Sequence, residues 1–197
     1  MIRRGFLLLL GFAFVASAAD PFSPEKLVAE LRKGGYVLYL RHTATDFSQN
    51  DQNMTSYEDC ATQRNLTDAG REQARQIGAQ LKRLRIPLGK VLASPFCRTV
   101  ETAMLAFGRA EKTQEVRGGP AKPDDPGRYE PLKKLLSKKV RAKENLVIAS
   151  HGNPFHAVFG PPYLAEGEVA VVRPRGRNVP EIVARIRPED WPSLPTP

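Results

Sequence analysis

The chain has little cysteine, little histidine and, beyond its first nineteen residues, no long apolar run. Its two cysteines, Cys60 and Cys97, have no neighbouring cysteine or carboxylate pattern that completes a zinc motif. Neither heads a Cys-x5-Arg sequence, so the sequence gives no support to a cysteine-nucleophile phosphatase. The three histidines, His42, His151 and His156, are separated by glycine and proline and do not form a ligand cluster; no metal and no cofactor is expected. No segment interleaves basic and aromatic residues in the manner of a nucleic-acid reader, and no fixed-period repeat is present.

What is there begins with an apolar start. Arg3 and Arg4 precede a run from Phe6 to Val15, followed by small residues at Ala16-Ser17-Ala18 or Ser17-Ala18-Ala19. This is the layout of a secretory signal, with an apolar core shorter than the roughly 18 to 20 residues of a spanning helix. Residues 1–19 are therefore expected to be removed, leaving a periplasmic or secreted protein with no stable membrane span.

Loss of Arg3 and Arg4, with no acid in the same segment, lowers the formal charge from +9 to +7. A basic domain of about 178 residues, in a chain with 41% hydrophobic content, is one unit with a real core. Its charge favours phosphate esters or anionic envelope surfaces as partners. In an exported chain, Cys60 and Cys97 read either as one disulfide or as two buried thiols. Oligomeric state has no signature.

Ser23-Pro24-Glu25 caps a first helix, and Gly34-Gly35 stops it. Tyr36 to Leu40 are then five consecutive apolar residues, read as a strand buried on both faces. Residues 43–65 are polar and turn-rich, a long loop over the end of that strand. A helix from Thr67-Asp68 to about Leu84, ended by Pro87 and Gly89, precedes a strand at Val91–Ala93. Ser94 is expected to cap the next helix, from about Phe96 to Phe107. Residues 118–127 form a surface loop, and 130–141 a helix with a lysine-rich outer face. Asn145–Ala149 is another buried strand, and Val169–Val172 with Ile182–Ile186 suggest a hairpin. This alternation predicts an α/β fold, a three-layer α/β/α sandwich with a mostly parallel sheet, spanning 20–187. Residues 188–197, with four prolines, read as a poorly ordered tail.

Parallel neighbours end on one side of a sheet, where ligands bind. Three strand ends carry Arg41-His42, Ser94 with Arg98 one turn later, and Ser150-His151. Forked arginine donors beside imidazoles suit a phosphate dianion. Glu101, one turn after Arg98, is placed either to orient it or to form an ordinary helix pair.

The ordered motifs Leu40-Arg-His-Thr43, Asn65-Leu-Thr-Asp-Ala-Gly-Arg-Glu-Gln-Ala74, Ser94-Pro-Phe-Cys-Arg-Thr-Val-Glu-Thr-Ala103 and Ser150-His-Gly152 resemble the histidine phosphatase superfamily, which includes the cofactor-dependent phosphoglycerate mutases. The likeness runs from Val37 to about Gly152. Asp59-Cys60, Gln63-Arg-Asn-Leu66 and Gly167-Glu-Val169 further resemble an exported subgroup containing lipopolysaccharide-core heptose-phosphate phosphatases.

The resemblance implies that His42 attacks phosphorus and that Arg41, Arg98 and His151 hold the phosphoryl oxygens. A nucleophilic imidazole must be neutral and a donor imidazole is more useful charged, so the two histidines are expected to have divergent pKa values. Asp125 is the expected general acid by position, with Asp124, Glu168 and Asp46 as alternatives. Arg64, Thr43 and Glu168 are expected to contact the substrate. Thr43 replaces the family's usual glycine, which raises the alternative of a pseudoenzyme that binds sugar phosphates without turnover. The expected substrate is a small-molecule or envelope-glycan phosphate ester, hydrolysed without metal.

Overall fold

The computed structural model describes residues 22–119, 127–177 and 179–196. The expected signal segment and both Asp124 and Asp125 lie outside the described residues.

Ser23 accepts a hydrogen bond from the Lys26 backbone and opens α1 (Pro24–Lys33), whose Leu27, Val28 and Leu31 are buried. The apolar run becomes β1 (Val37–Arg41). Thr67 caps α2 (Asp68–Arg83) through the Gly70 N–H. There follow β2 (Leu88–Ala93), α3 (Cys97–Phe107), β3 (Glu111–Lys112), α4 (Glu130–Ser137), β4 (Asn145–Ser150), α5 (Gly152–Phe159), β5 (Val169–Arg173) and β6 (Glu181–Ile186).

The six strands form one sheet in the order β3-β2-β4-β1-β5-β6. β3, β2, β4 and β1 are parallel, and β5 and β6 add an antiparallel edge. Alternate residues of β1 explain its unbroken apolar run. Leu38 and Leu40 join a core with α1, α2 and α3, whereas Val37 and Tyr39 join one with α4 and α5. The expected three layers are therefore present.

Several local expectations change. α2 stops because Arg85 takes a left-handed conformation (φ 53°), and Gly89 belongs to β2 rather than to the helix end. α4 ends at Ser137 rather than Arg141; prolonging it would stack Lys134 and Lys138 as like charges one turn apart. α5 begins with Pro154 in its first turn, where a missing N–H costs nothing.

The tail is packed, not loose. Residues Pro188–Ser193 form a 3-10 turn that packs on α2 and buries Trp191 (1% exposed) and Leu194 in the core shared with α1. Arg83 donates to the carbonyls of Trp191 and Leu194, at 3.0 Å each. Trp191→Ala should therefore lower unfolding free energy in urea by about 3–5 kcal/mol. A loss below about 1 kcal/mol would show that the tail does not support the core.

Candidate active site

The site is a consequence of register. Arg41 of β1 lies opposite Ser150 of β4, and Ala93 of β2 lies opposite Ala149. The pairing continues one residue further, since His42 N–H donates to the Ser150 carbonyl and Ser94 N–H to the Ala149 carbonyl, both at 2.9 Å. His42, His151 and Ser94 thus leave three adjacent strands at one edge.

His42 is 1% exposed, and its Nδ1 lies 3.0 Å from the Thr43 carbonyl. A carbonyl only accepts, so the neutral ring keeps its proton on Nδ1 and its lone pair on Nε2. Burial holds the pKa well below 6.5, and Arg98, Arg41 and Arg64 add to the effect against the Thr43 hydrogen bond. His151 is also held well below 6.5, first by burial and then by Arg98, His42, Arg41 and Arg64. The expected divergence is thus corrected: both imidazoles are driven neutral, because both are desolvated among the same cations.

His151 is fixed on several sides. Its Nε2 is 2.8 Å from Ser94 Oγ, its ring meets Phe96 edge-on at 4.9 Å, and His42 lies 5.4 Å away between centroids. A Cβ on Gly118 would come within 2.7 Å of the ring, so only glycine lets the backbone approach there. Ser94 is accordingly not the cap of α3; Phe96 holds the cap position without a side-chain bond. A serine before proline reads as a cap in sequence, but this hydroxyl orients an imidazole.

Three arginines surround the pair. Arg41 donates through Nη1 to the Leu164 carbonyl at 2.6 Å and through Nη2 to Glu166 at 3.5 Å. Arg98, 5% exposed, is gripped by both oxygens of Asp51 at 2.9 and 3.0 Å, with Nη1 also reaching the Arg64 carbonyl. Arg64 donates its backbone N–H to Asp51 at 2.9 Å and lays its guanidinium over Phe47 at 4.8 Å. The Nε atoms of Arg41, Arg64 and Arg98 are all buried without a partner. A buried donor left without a partner costs about 1–3 kcal/mol.

Asp51 and Glu166 are the residues that sequence reasoning missed. Asp51 is one acid among several in a turn-rich loop, where acids are common. Glu166 belongs to the acidic pair around Gly167, in which the motif draws attention to Glu168 instead. Glu166 accepts from Thr45 N and Oγ1 at 3.1 and 2.7 Å and stands 3.9 Å from His42 Nδ1.

Other expected residues are elsewhere. Glu168 is locked to Arg185 at 2.7 and 2.8 Å and accepts from Ala165 N–H. Burial would raise its pKa, but Arg185 and that N–H outweigh it and hold the carboxyl below its usual value, which does not suit an acid. Asp46 is half-buried, and its carboxyl is lowered by the Ser48 hydroxyl and backbone N–H, a local turn. Glu101 pairs with Arg71 of α2 at 2.7 Å and not with Arg98. Thr43 turns its hydroxyl to Thr102 of α3 at 3.2 Å, so its side chain does not meet a substrate and its carbonyl does the positioning. His156 stacks on Tyr163, and among the described residues no three His, Cys, Asp or Glu side chains are placed to hold a metal.

Cys60 and Cys97 form a disulfide with a Cα separation of 5.7 Å. It ties the loop carrying Asp51 and Arg64 to the residue preceding Arg98. Buried Gln63 completes the clasp, holding three loop carbonyls and accepting from Cys97 N–H.

Paired histidines and arginines thus meet at the carboxyl edge of a mostly parallel α/β sheet, an arrangement whose charge suits an anionic group. Residues 37–119 match the histidine phosphatase superfamily (branch 1). Solved structures of the same fold include the protein histidine phosphatase SixA complexed with tungstate. That structure is 20% identical, with a TM-score of 0.52, over 78% of this chain and 97% of that one. A mutant phosphoserine phosphatase from Entamoeba histolytica in complex with phosphoserine is 14% identical, with a TM-score of 0.53, over 76% and 95%. The putative phosphohistidine phosphatase SixA from Agrobacterium tumefaciens is 16% identical, with a TM-score of 0.53, over 77% and 97%. No curated protein matches the sequence.

Inorganic phosphate at about one hundred times its Kd should stabilise the protein by about 2.7 kcal/mol, raising Tm by about 5–10 °C. Arg98→Ala should abolish the shift. A wild-type Tm indifferent to phosphate would contradict the cradle.

Proposed function

We propose that the protein is an exported phosphomonoesterase that hydrolyses phosphate esters through a phosphohistidine on His42, without a metal ion. The observation that carries this reading is the combination at His42: Nδ1 is bound to the Thr43 carbonyl, so Nε2 offers its lone pair beside three arginines with unpartnered Nε–H groups.

In the first step Nε2 forms a bond to phosphorus while the ester P–O bond breaks, and the leaving oxygen takes a proton. Arg41, Arg64 and Arg98 offset the charge on the phosphoryl oxygens, the main contribution available in phosphoryl transfer. Ser94 Oγ and His151 Nε2 share a hydrogen bond of 2.8 Å, and in the tautomer in which the hydroxyl donates, neutral His151 keeps Nδ1–H as its donor. The phosphorylated His42 ring is cationic, and Glu166, 3.9 Å from Nδ1, stabilises that charge. Water then attacks phosphorus, the N–P bond breaks, and phosphate leaves.

Asp125 is the proposed proton donor. Support comes from the flanks of its segment: Gly118 packs on the His151 ring, the Arg128 guanidinium donates to the Arg117 carbonyl at 2.9 Å, and Tyr129 Oη donates to the Gly119 carbonyl at 2.7 Å. Both flanks are therefore tied together beside the site. The signal-like start and the motifs Gln63 to Leu66 and Gly167 to Val169 favour an envelope-glycan phosphate ester, as in heptose-phosphate phosphatases.

The purified mature protein should hydrolyse p-nitrophenyl phosphate in EDTA. His42→Ala should lose about a thousandfold or more in kcat and Arg41→Ala about a hundredfold or more, each with an unchanged fold. Because protonation blocks attack and burial lowers the His42 pKa, activity should persist as pH falls to about 6.5, the ordinary histidine value, and decline only below it. Retained activity in His42→Ala, or an acid limb centred above about pH 7, would sink the mechanism.

A further inference from the structure

The arginine cradle accounts for the phosphoryl group but not for what the phosphoryl group is attached to. Four large apolar side chains are exposed among the described residues: Phe47, Met104, Tyr163 and Val179. Isolated exposed apolar residues are ordinary. Here two of the four are tied to different arginines of the same site: Phe47, at 72% exposure, packs on Arg64, and Tyr163, at 51%, acts electrostatically on Arg41.

Phe47 comes from the loop that the disulfide clasps. The Arg64 guanidinium covers one face of its ring at 4.8 Å, and Arg64 in turn acts electrostatically on His42, His151, Arg41 and Arg98. Tyr163 comes from the segment between α5 and β5. Its ring stacks on His156 at 4.3 Å with an interplanar angle of 18°. A Cβ added to Gly152 would lie 2.7 Å from Tyr163 Cδ1 and 3.5 Å from Arg41 Nη1, so this ring stands beside the Arg41 guanidinium over bare backbone. Arg185 donates to the carbonyls of Pro162 and Tyr163 at 3.0 and 2.8 Å while paired with buried Glu168. Glu168, expected at the substrate, therefore anchors the backbone that presents Tyr163.

Both aromatic rings are thus backed by a cation or an imidazole and carry large exposed surface next to a phosphate cradle. A ring face so placed offers dispersion and CH–π contact to a flat or cyclic group and little to a short polar chain. We propose that Phe47 and Tyr163 form the leaving-group subsite, and that the preferred substrates are monoesters whose phosphate is carried by a ring, aryl or pyranose. This inference rests on the phosphatase reading above and deepens it.

The test compares kcat/KM for phenyl phosphate, glucose 1-phosphate and phosphoserine in wild type, Phe47→Ala and Tyr163→Ala. Using each variant's ratio to wild type removes the intrinsic reactivity of the ester. The preference for ring-borne over acyclic phosphate should fall about three- to tenfold in each variant, mainly through KM, and Phe47→Trp and Tyr163→Phe should restore it. A fall confined to phenyl phosphate identifies aryl esters, and one confined to glucose 1-phosphate identifies sugars. Equal losses on all three esters, or no loss, would overturn the subsite while leaving the phosphatase reading intact. A wild-type protein that turns over none of the esters would overturn both.

Discussion

The parallel pairing of β1 with β4, continued from Arg41 and Ser150 to the bond between His42 N–H and the Ser150 carbonyl, is the constraint on which the site depends. Side chains at the ends of parallel neighbours share one edge only if the strands end in step, and a slip of one residue would send every side chain to the opposite face. The slip is opposed from both sides of the sheet. Leu38 and Leu40 fit one core and Val37 and Tyr39 the other, while the Tyr39 hydroxyl donates to the His151 carbonyl at 2.8 Å. Core packing and site geometry are therefore the same set of contacts viewed from two ends of β1.

At that edge the protein concentrates positive charge and then removes water from it. Arg41 and Arg98 are both pushed toward deprotonation by burial, a push opposed by Glu166 at Arg41 and by Asp51 at Arg98. Guanidinium stays charged throughout. The two carboxylates bind the terminal nitrogens, which leaves the Nε–H groups as the unsatisfied donors. In the same field a charged imidazole is expensive, so His42 and His151 are neutral. A neutral His42 is what nucleophilic attack requires, and the cations that make it neutral are those that would receive the phosphoryl oxygens. One electrostatic arrangement serves both needs.

The parts of this arrangement differ in how visible they are in the sequence. The apolar run at 37–40, the capped α2 and the polar ends of three strands are local patterns, and they foretell the sheet and the convergence of Arg41, His42, Arg98 and His151. Asp51 and Glu166 act across 47 and 125 residues of sequence on Arg98 and Arg41, and nothing in an isolated acidic side chain records its partner. Ser94 is visible, but its position before proline points to a cap because the competing imidazole, 57 residues away, is not. Trp191 and Leu194 are hidden among prolines that suppress regular structure without preventing burial. Thr43 looks like an obstacle only if its side chain is directed toward the substrate, whereas Thr102 draws it toward α3.

A trapped covalent intermediate tests the central claim most directly. Wild-type protein mixed with radiolabelled phenyl phosphate and quenched in alkaline denaturant should carry label that is stable to base, lost in acid and mapped to the peptide containing His42. Absence of label from turning-over enzyme whose phosphoryl step is fast, or acid-stable label on another residue, would contradict a phosphohistidine mechanism at the end of β1.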